Sequence, residues 1–239
     1  MHTLGLVVVA AGLVGVIWGI FQQVKAGRLS GAPLVRTGDA AARGGQVASS
    51  DGAISVQGNV ICQRFLVSPV TGTVCLYYSL KTVASWKEGE AEKSKVLEDR
   101  KVAARFAIDD GTGPVWIDAS KGGDFDPERS KSESKGAGLL GGVTGADLAF
   151  GHYKLATRSL SLGTKYEVTE TLLPVVPRLY ACGRTVEQGI AEPGWRSLIL
   201  SAKTRDELLA SAGRGAKLFM AGGVAALGAG ALLAFLGGP

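Results

Sequence analysis

The sequence predicts a mainly β domain, a small barrel or sandwich with α+β as its nearest variant, held between two transmembrane helices. Three observations predict it. Two long apolar runs stand near the ends of the chain, short period-two patterns fill the middle, and a Gly-, Ser- and Lys-rich stretch interrupts them.

The first run, residues 4–24, reads LGLVVVAAGLVGVIWGIFQQV and has no charge, with Gln22 and Gln23 as its only polar side chains. The second, residues 218–236, reads LFMAGGVAALGAGALLAFL and has no polar side chain. Each is close to the ~20 residues a helix needs to cross the hydrocarbon. Lipid offers no partner to open backbone groups, so both should be helical. A cleaved signal peptide fits the first run poorly: no Lys or Arg precedes it, it is long, and no A-x-A site follows. A buried core helix is the rival for the second, whose uninterrupted length and terminal position favour a span.

Charge then orients the molecule. Lys25, Arg28, Arg36 and Arg43 follow the first run, and Lys203, Arg205, Arg214 and Lys217 precede the second. Residues 1–3 and 237–239 carry no Lys or Arg. Positive flanks stay in the cytoplasm, so the domain is expected there with both chain ends outside. These basic residues, set against Asp39, Asp206 and Glu207, account for the whole net charge of +5. The basic excess therefore points to anionic lipid headgroups, and a nucleic-acid partner is not expected. Cys62, Cys75 and Cys182, without any C-x-x-C, fit neither a disulfide framework nor a zinc site. No cofactor or metal is expected.

Residues 25–53 are rich in Gly, Ala and Ser and read as a linker with a short amphipathic stretch, ahead of a soluble domain at 54–212. Ile54, Val56, Gly58 and Val60 alternate with polar neighbours and make a strand. Residues 68–72 (SPVTG) turn the chain, and Val74 to Leu80 begins a strand running toward Trp86. The charged stretch Lys87 to Lys101 reads as a solvated hairpin tip or loop. Val102, Ala104, Phe106 and Ile108 are expected on one strand face, followed by a tight turn at 109–113 and a return strand at 114–118. Residues 120–150 read as a long mobile insertion. Tyr166 to Leu173, Arg178 to Val186 and Leu198 to Leu200 are strands. Thr204-x-x-Glu207 is a capping box, whose helix Gly213 and Gly215 should separate from the second span.

Few constellations carry chemistry. A Ser/His/Asp arrangement of His152 with Ser159 or Ser161 has no support in spacing. Asp109 and Asp110 could meet a divalent cation, but the EF-hand pattern is missing, and one aspartate closing the turn through its own backbone is the better reading. The Gly-rich residues 136–147 lack the Gly-Lys-Ser/Thr of a phosphate loop. Tyr77 and Tyr78 are adjacent on a strand and point to opposite faces, one toward the core and one outward. In the spans, Ala11, Gly15 and Gly19 recur every four residues, as do Gly222, Ala226, Gly230 and Ala234. That spacing lets helices approach closely and suits homo-oligomer formation through the spans.

Gln57-Gly58-x-Val60, SPVTGTVCLYYSL (68–80) with Trp86, FAIDDGTGPVWIDA (106–119), YEVTETLLPVVPRLYACGRT (166–185) and LILSAKTRDELL (198–209) stand in this order. Together they resemble the GIDE family, whose domain is also called the BAM, or "beside a membrane", domain. The resemblance marks Ser68, Pro69, Gly72, Cys75, Tyr77, Tyr78, Asp109, Asp110, Gly111, Gly113, Tyr166, Glu170 and Gly183 as motif positions. It also implies an OB-like pairing of strands. The best-known relatives are mitochondrial outer-membrane ubiquitin and SUMO ligases, with a catalytic RING after the second span and the domain on the far side from the cytosol. This sequence departs there: it ends at Pro239, and three cysteines cannot build a RING's paired zinc sites. The expectation is a membrane-anchored docking or scaffold module that binds protein partners, with no catalytic residues of its own. The alternative is an accessory E3 ubiquitin-protein transferase component with catalysis on another chain.

Overall fold

A computed structural model describes residues 2–136, 148–155, 163–187, 189–192 and 197–236. Its helices are α1 (His2–Gly31), α2 (Thr37–Val47) and α3 (Arg205–Leu236). Its strands are β1 (Ala53–Cys62), β2 (Leu66–Val67), β3 (Val74–Glu88), β4 (Ala91–Ala103), β5 (Phe106–Asp109), β6 (Val115–Asp118) and β7 (Asp124–Asp126). They continue as β8 (Arg129–Gly136), β9 (Leu148–Phe150), β10 (Tyr153–Leu155), β11 (Lys165–Pro174), β12 (Arg178–Val186), β13 (Gly189–Ala191) and β14 (Ile199–Ser201). The chain divides into two compact units, residues 34–202 and the terminal segments 1–33 with 203–239.

The larger unit is mainly β and holds a closed five-stranded barrel. The ring runs β1-β5-β6-β13-β12 and back to β1. Every contact is antiparallel except that of β6 with β13. Taken in chain order as I to V, the strands stand I-II-III-V-IV. Alternation sends Ile54, Val56, Phe106, Ile108, Val115, Ile117, Leu179 and Ala181 inward, where Leu76, Tyr77 and Leu173 close the core. Gly183 sits where strand and core come closest: a Cβ there would lie 2.6 Å from the Ala191 carbonyl oxygen and 2.8 Å from side chains of Ile190 and Leu198.

β3 lies outside the barrel ring, although its Leu76 and Tyr77 pack into the barrel core, and is the centre of a second sheet, ordered β2-β3-β11-β8 with β4 also on β3. The β9–β10 hairpin covers one face, burying Phe150 with Val70, Leu80, Ala84, Tyr166 and Val168.

Several sequence expectations need correction here. Lys87 to Lys101 does hold a hairpin tip, at Gly89 and Glu90, but from Ala91 on it is strand and not loop. β4 pairs with β3 along its length apart from a bulge at Leu97, and its long charged side chains extend from a sheet edge. Within 120–150, eight residues of β8 pair with β11, and β7 and β9 are also ordered; residues 137–147 lie outside the described part. β8 was illegible as a strand because RSKSESKG is polar on both faces. Val102 and Phe106 belong to different sheets, the chain crossing between them at Ala104 and Arg105. In the 25–53 segment the first helix runs on to Gly31, and α2 forms where only an amphipathic stretch was expected.

The smaller unit is an antiparallel pair of α1 and α3, each long and apolar enough to cross a membrane. The capping box opens α3: the Thr204 amide donates to Glu207 Oε2 at 2.8 Å, and the Glu207 amide donates to Thr204 Oγ1 at 3.3 Å. The helix then continues without interruption through Gly213 and Gly215, so these glycines do not separate two helices. Helical neighbours on both sides hold a glycine in place despite its propensity cost of ~1 kcal/mol.

Candidate functional site

Three places gather the motif residues, and a fourth lies outside all of them. The first is the 68–73 loop. Ser68 and Thr73 bond through their backbones at 2.9 Å, the Ser68 hydroxyl takes the Thr73 amide at 3.1 Å, and Gly72 turns with φ +68°. Glu170, on β11 and 1 % exposed, anchors this loop from below. Its Oε1 accepts the Val70 amide at 2.7 Å, and its Oε2 accepts the Thr71 amide at 3.1 Å and hydroxyl at 2.7 Å. Pro69 lies half-buried in the same loop, and His152 reaches it by donating its backbone amide to the Val70 carbonyl at 3.0 Å. Cys75 is buried nearby with Tyr78 and Leu172. Burial first, and then the Glu170 charge, push its thiol up to about 11. Ser159 and Ser161 lie outside the described residues.

The second is the 109–113 turn. Asp109 Oδ1 accepts the amides of Gly111 at 2.8 Å and Gly113 at 3.2 Å, closing the turn on its own backbone as expected. Asp110 does something the sequence hid. Its carboxylate accepts the Thr37 hydroxyl at 2.7 Å and the Thr37 amide at 3.3 Å, while Thr112 Oγ1 takes the Gly38 amide at 2.9 Å. The N-cap residue Arg36 supplies no side-chain bond, so this turn caps α2 from a distance. Burial pushes the Asp110 carboxyl up, but the hydrogen bonds from Thr112 and Thr37 win and hold it at about 2.

The tyrosine pair is corrected. Tyr77 enters the barrel core against Phe125, with ring centroids 4.9 Å apart, and Tyr78 is buried on the other face of β3. Neither is a surface residue, because β3 is covered on both sides at this point. Tyr166 is buried beneath the β9–β10 hairpin.

The third place is the helix pair, whose seam follows a period of seven. Gly5, Gly12 and Gly19 on α1 and Ala216, Gly223 and Gly230 on α3 are buried. A Cβ on Gly12 would stand 2.9 Å from the Gly223 carbonyl oxygen, and one on Gly230 would stand 2.8 Å from the Val9 amide. Of the positions read at a four-residue spacing, Gly15, Gly19 and Gly230 meet the partner helix, Ala226 is half-buried, and Ala11 and Gly222 are exposed. The side chain of Ala234 lies outside the described residues. Two antiparallel helices that stay in contact favour a seven-residue repeat. At the other end of the pair, the Arg205 guanidinium donates to the carbonyls of Leu29 (3.3 Å), Ser30 (3.1 Å) and Ala32 (3.4 Å), a cation on the last turn of α1.

The fourth place is a trough on the barrel wall, missed in the sequence. A recess of about 320 Å³ is floored by Ala104, Ile117, Ala119 and Ile190 and flanked by Val186. A second, of about 470 Å³, adds Gln63, Arg64 and Leu66. Both share Ala103, Ala104, Arg105 and Trp116, so they meet under one pair of side chains. The Arg105 guanidinium carbon stands 4.8 Å over the Trp116 ring. Cys62, half-buried, has its sulfur 3.3 Å from the Arg64 carbonyl and 3.7 Å from that of Arg105, so both arginines rise from backbone joined at one point. The one legible signal was Trp116 itself, at an outward position of a strand. Among the described residues no group of three or more His, Cys, Asp or Glu side chains is placed to hold a metal.

A family model named GIDE and described as E3 ubiquitin ligase matches residues 78–235, from the third strand into the second long helix. No curated protein and no solved structure shows a significant match.

Proposed function

Because the chain belongs to the GIDE family, we propose that it is a membrane-anchored docking module that binds protein partners at the bilayer surface. The trough beside Trp116 carries this reading. An apolar recess beside an arginine set over a tryptophan ring has the composition of an interface hot spot. The side chains otherwise suited to chemistry have structural employment: Glu170 and Asp110 hold loops, and the Cys75 thiol is buried and protonated.

Two apolar helices support membrane association. The basic residues flanking them argue for a cytoplasmic domain and for contact with anionic headgroups. The barrel order I-II-III-V-IV with one parallel contact supports an OB-type classification.

A second reading rests on the family description: an accessory of a ubiquitin transferase whose catalysis lies on another chain. A photo-crosslinking residue at Arg64, on the trough rim, and another at Lys93, on the β3–β4 hairpin, separate docking from chance proximity in native membranes. Discrete adducts from Arg64 but not Lys93 are expected; equal adducts from both, or none, would sink the docking reading. Conjugate formation that rises when the full chain joins a mixture of E1, E2 and ubiquitin would favour the transferase reading.

A further inference from the structure

We propose that the trough takes an extended peptide segment of a partner protein in which an Asp or Glu stands close to a bulky apolar residue. The inference rests on the docking reading above and adds the chemistry of the partner. The recess near Ile117 and Ile190 is apolar on its floor, and about 320 Å³ is room for one large aliphatic or aromatic side chain rather than a folded surface. Directly beside it the Arg105 guanidinium carbon stands 4.8 Å over the indole, so a cation with several N–H donors lies at the rim of the apolar recess, and Arg105 itself is exposed. A guanidinium already resting on an aromatic ring loses less freedom on gripping a carboxylate, and the bidentate bond a guanidinium makes with a carboxylate is among the stronger ones.

The local charge is unbalanced in the same sense. Arg64 and Arg105 line the trough, and among the described residues Asp118 is the only acid that lines it. Asp118 turns to its own loop, accepting the Ser120 amide at 2.9 Å. Neither arginine has a salt-bridge partner among the described residues. The two recesses share the Arg105–Trp116 pair, so a chain lying along the trough passes the cation while an adjacent side chain drops into the apolar recess. Single-stranded nucleic acid would ask for something different: a basic track and several aromatic platforms. Among its described lining residues the trough has two arginines and one indole, on a domain whose basic and acidic side chains balance overall.

The test is selection of a phage-displayed random 12-residue library on the full chain in lipid nanodiscs. Enriched sequences should pair Asp or Glu with a large apolar residue within a few positions. Synthetic copies should bind at least tenfold more weakly to R105E, to R64E and to W116A. The two arginine variants alter exposed side chains and guard against a folding defect in W116A, as does an unchanged melting curve for each. Enrichment without acidic bias, no enrichment, or binding indifferent to all three substitutions would overturn the proposal. Tighter binding of a 12-nucleotide oligothymidylate than of any selected peptide would overturn it in favour of nucleic acid. If Arg64 crosslinks a membrane partner while the library shows no acidic bias, docking survives and only the partner chemistry falls.

Discussion

Gly183 and Gly111 need to be glycine for opposite reasons, and substitution separates them. Gly183 has no room: its Cβ would press on the Ala191 carbonyl at 2.6 Å. Gly111 has open space but a φ of +99°, which side chains rarely adopt. G183V should therefore cost about 2–3 kcal/mol by overpacking, and G111V about 1 kcal/mol through backbone strain alone. Thermal melts of the full chain in micelles would check both, and equal effects would contradict the distinction. Asp110 predicts a pH dependence. Its carboxyl titrates at about 2 in the fold, against ~3.9 for an unfolded aspartate. The fold thus favours the ionised form, so the contribution is complete above about pH 4 and is lost as pH falls toward 2. Wild type should lose stability over that window by more than D110N does, and D110A should cost about 1 kcal/mol at neutral pH, the size of a lost helix cap. Among the thiols, Cys62 should alkylate first at pH 8 and Cys75 last, because Cys75 is buried and its pKa raised to about 11; mass spectrometry after timed iodoacetamide exposure reads the order.

At the scale of elements, the glycine seam gives the sharpest contrast between neighbours. A Cβ at Gly223 would stand 2.8 Å from the Val16 amide, whereas one at Gly222 meets nothing within 4 Å. G223I should destabilise the helix pair by about 1–3 kcal/mol and G222I should not; equal melting in micelles would mean the seam is misassigned. The seam also illustrates what could be read beforehand. That the spans carried small packing residues was visible, but in so Gly- and Ala-rich a run periods of four and seven overlap, and only the partner helix selects between them. Strands β1, β3, β5, β6, β11 and β12 were legible because their runs are dense in β-branched, aromatic and aliphatic residues, alternating with polar ones where only one face is covered. α2 was not, since its first amides are satisfied by Asp110 and Thr112, more than seventy residues away. The trough was hidden for the same kind of reason: Arg64, Arg105, Trp116 and Ile190 come from separate segments, and no local pattern announces a surface that barrel closure assembles.

For the whole molecule, the charges flanking the helices predict that a reporter inserted within residues 137–147 behaves as cytoplasmic and one fused after Pro239 as external. An externally active reporter at the internal site would reverse the orientation. The mainly β domain between two apolar helices was legible from composition along the chain, because lipid and core select for very different sequence patterns. The pairing of the helices was not, and it has a consequence in time. The two halves of the glycine seam are separated by about 200 residues, and at ~5–20 residues per second of synthesis the first half enters the bilayer roughly 10–40 s before the second exists. During that interval Gly5, Gly12 and Gly19 present open backbone to lipid or to whatever else occupies the nascent membrane. A newborn chain is therefore at its most available to foreign helices before its own arrives, and slowing translation between the spans should increase mispairing even though no residue has changed.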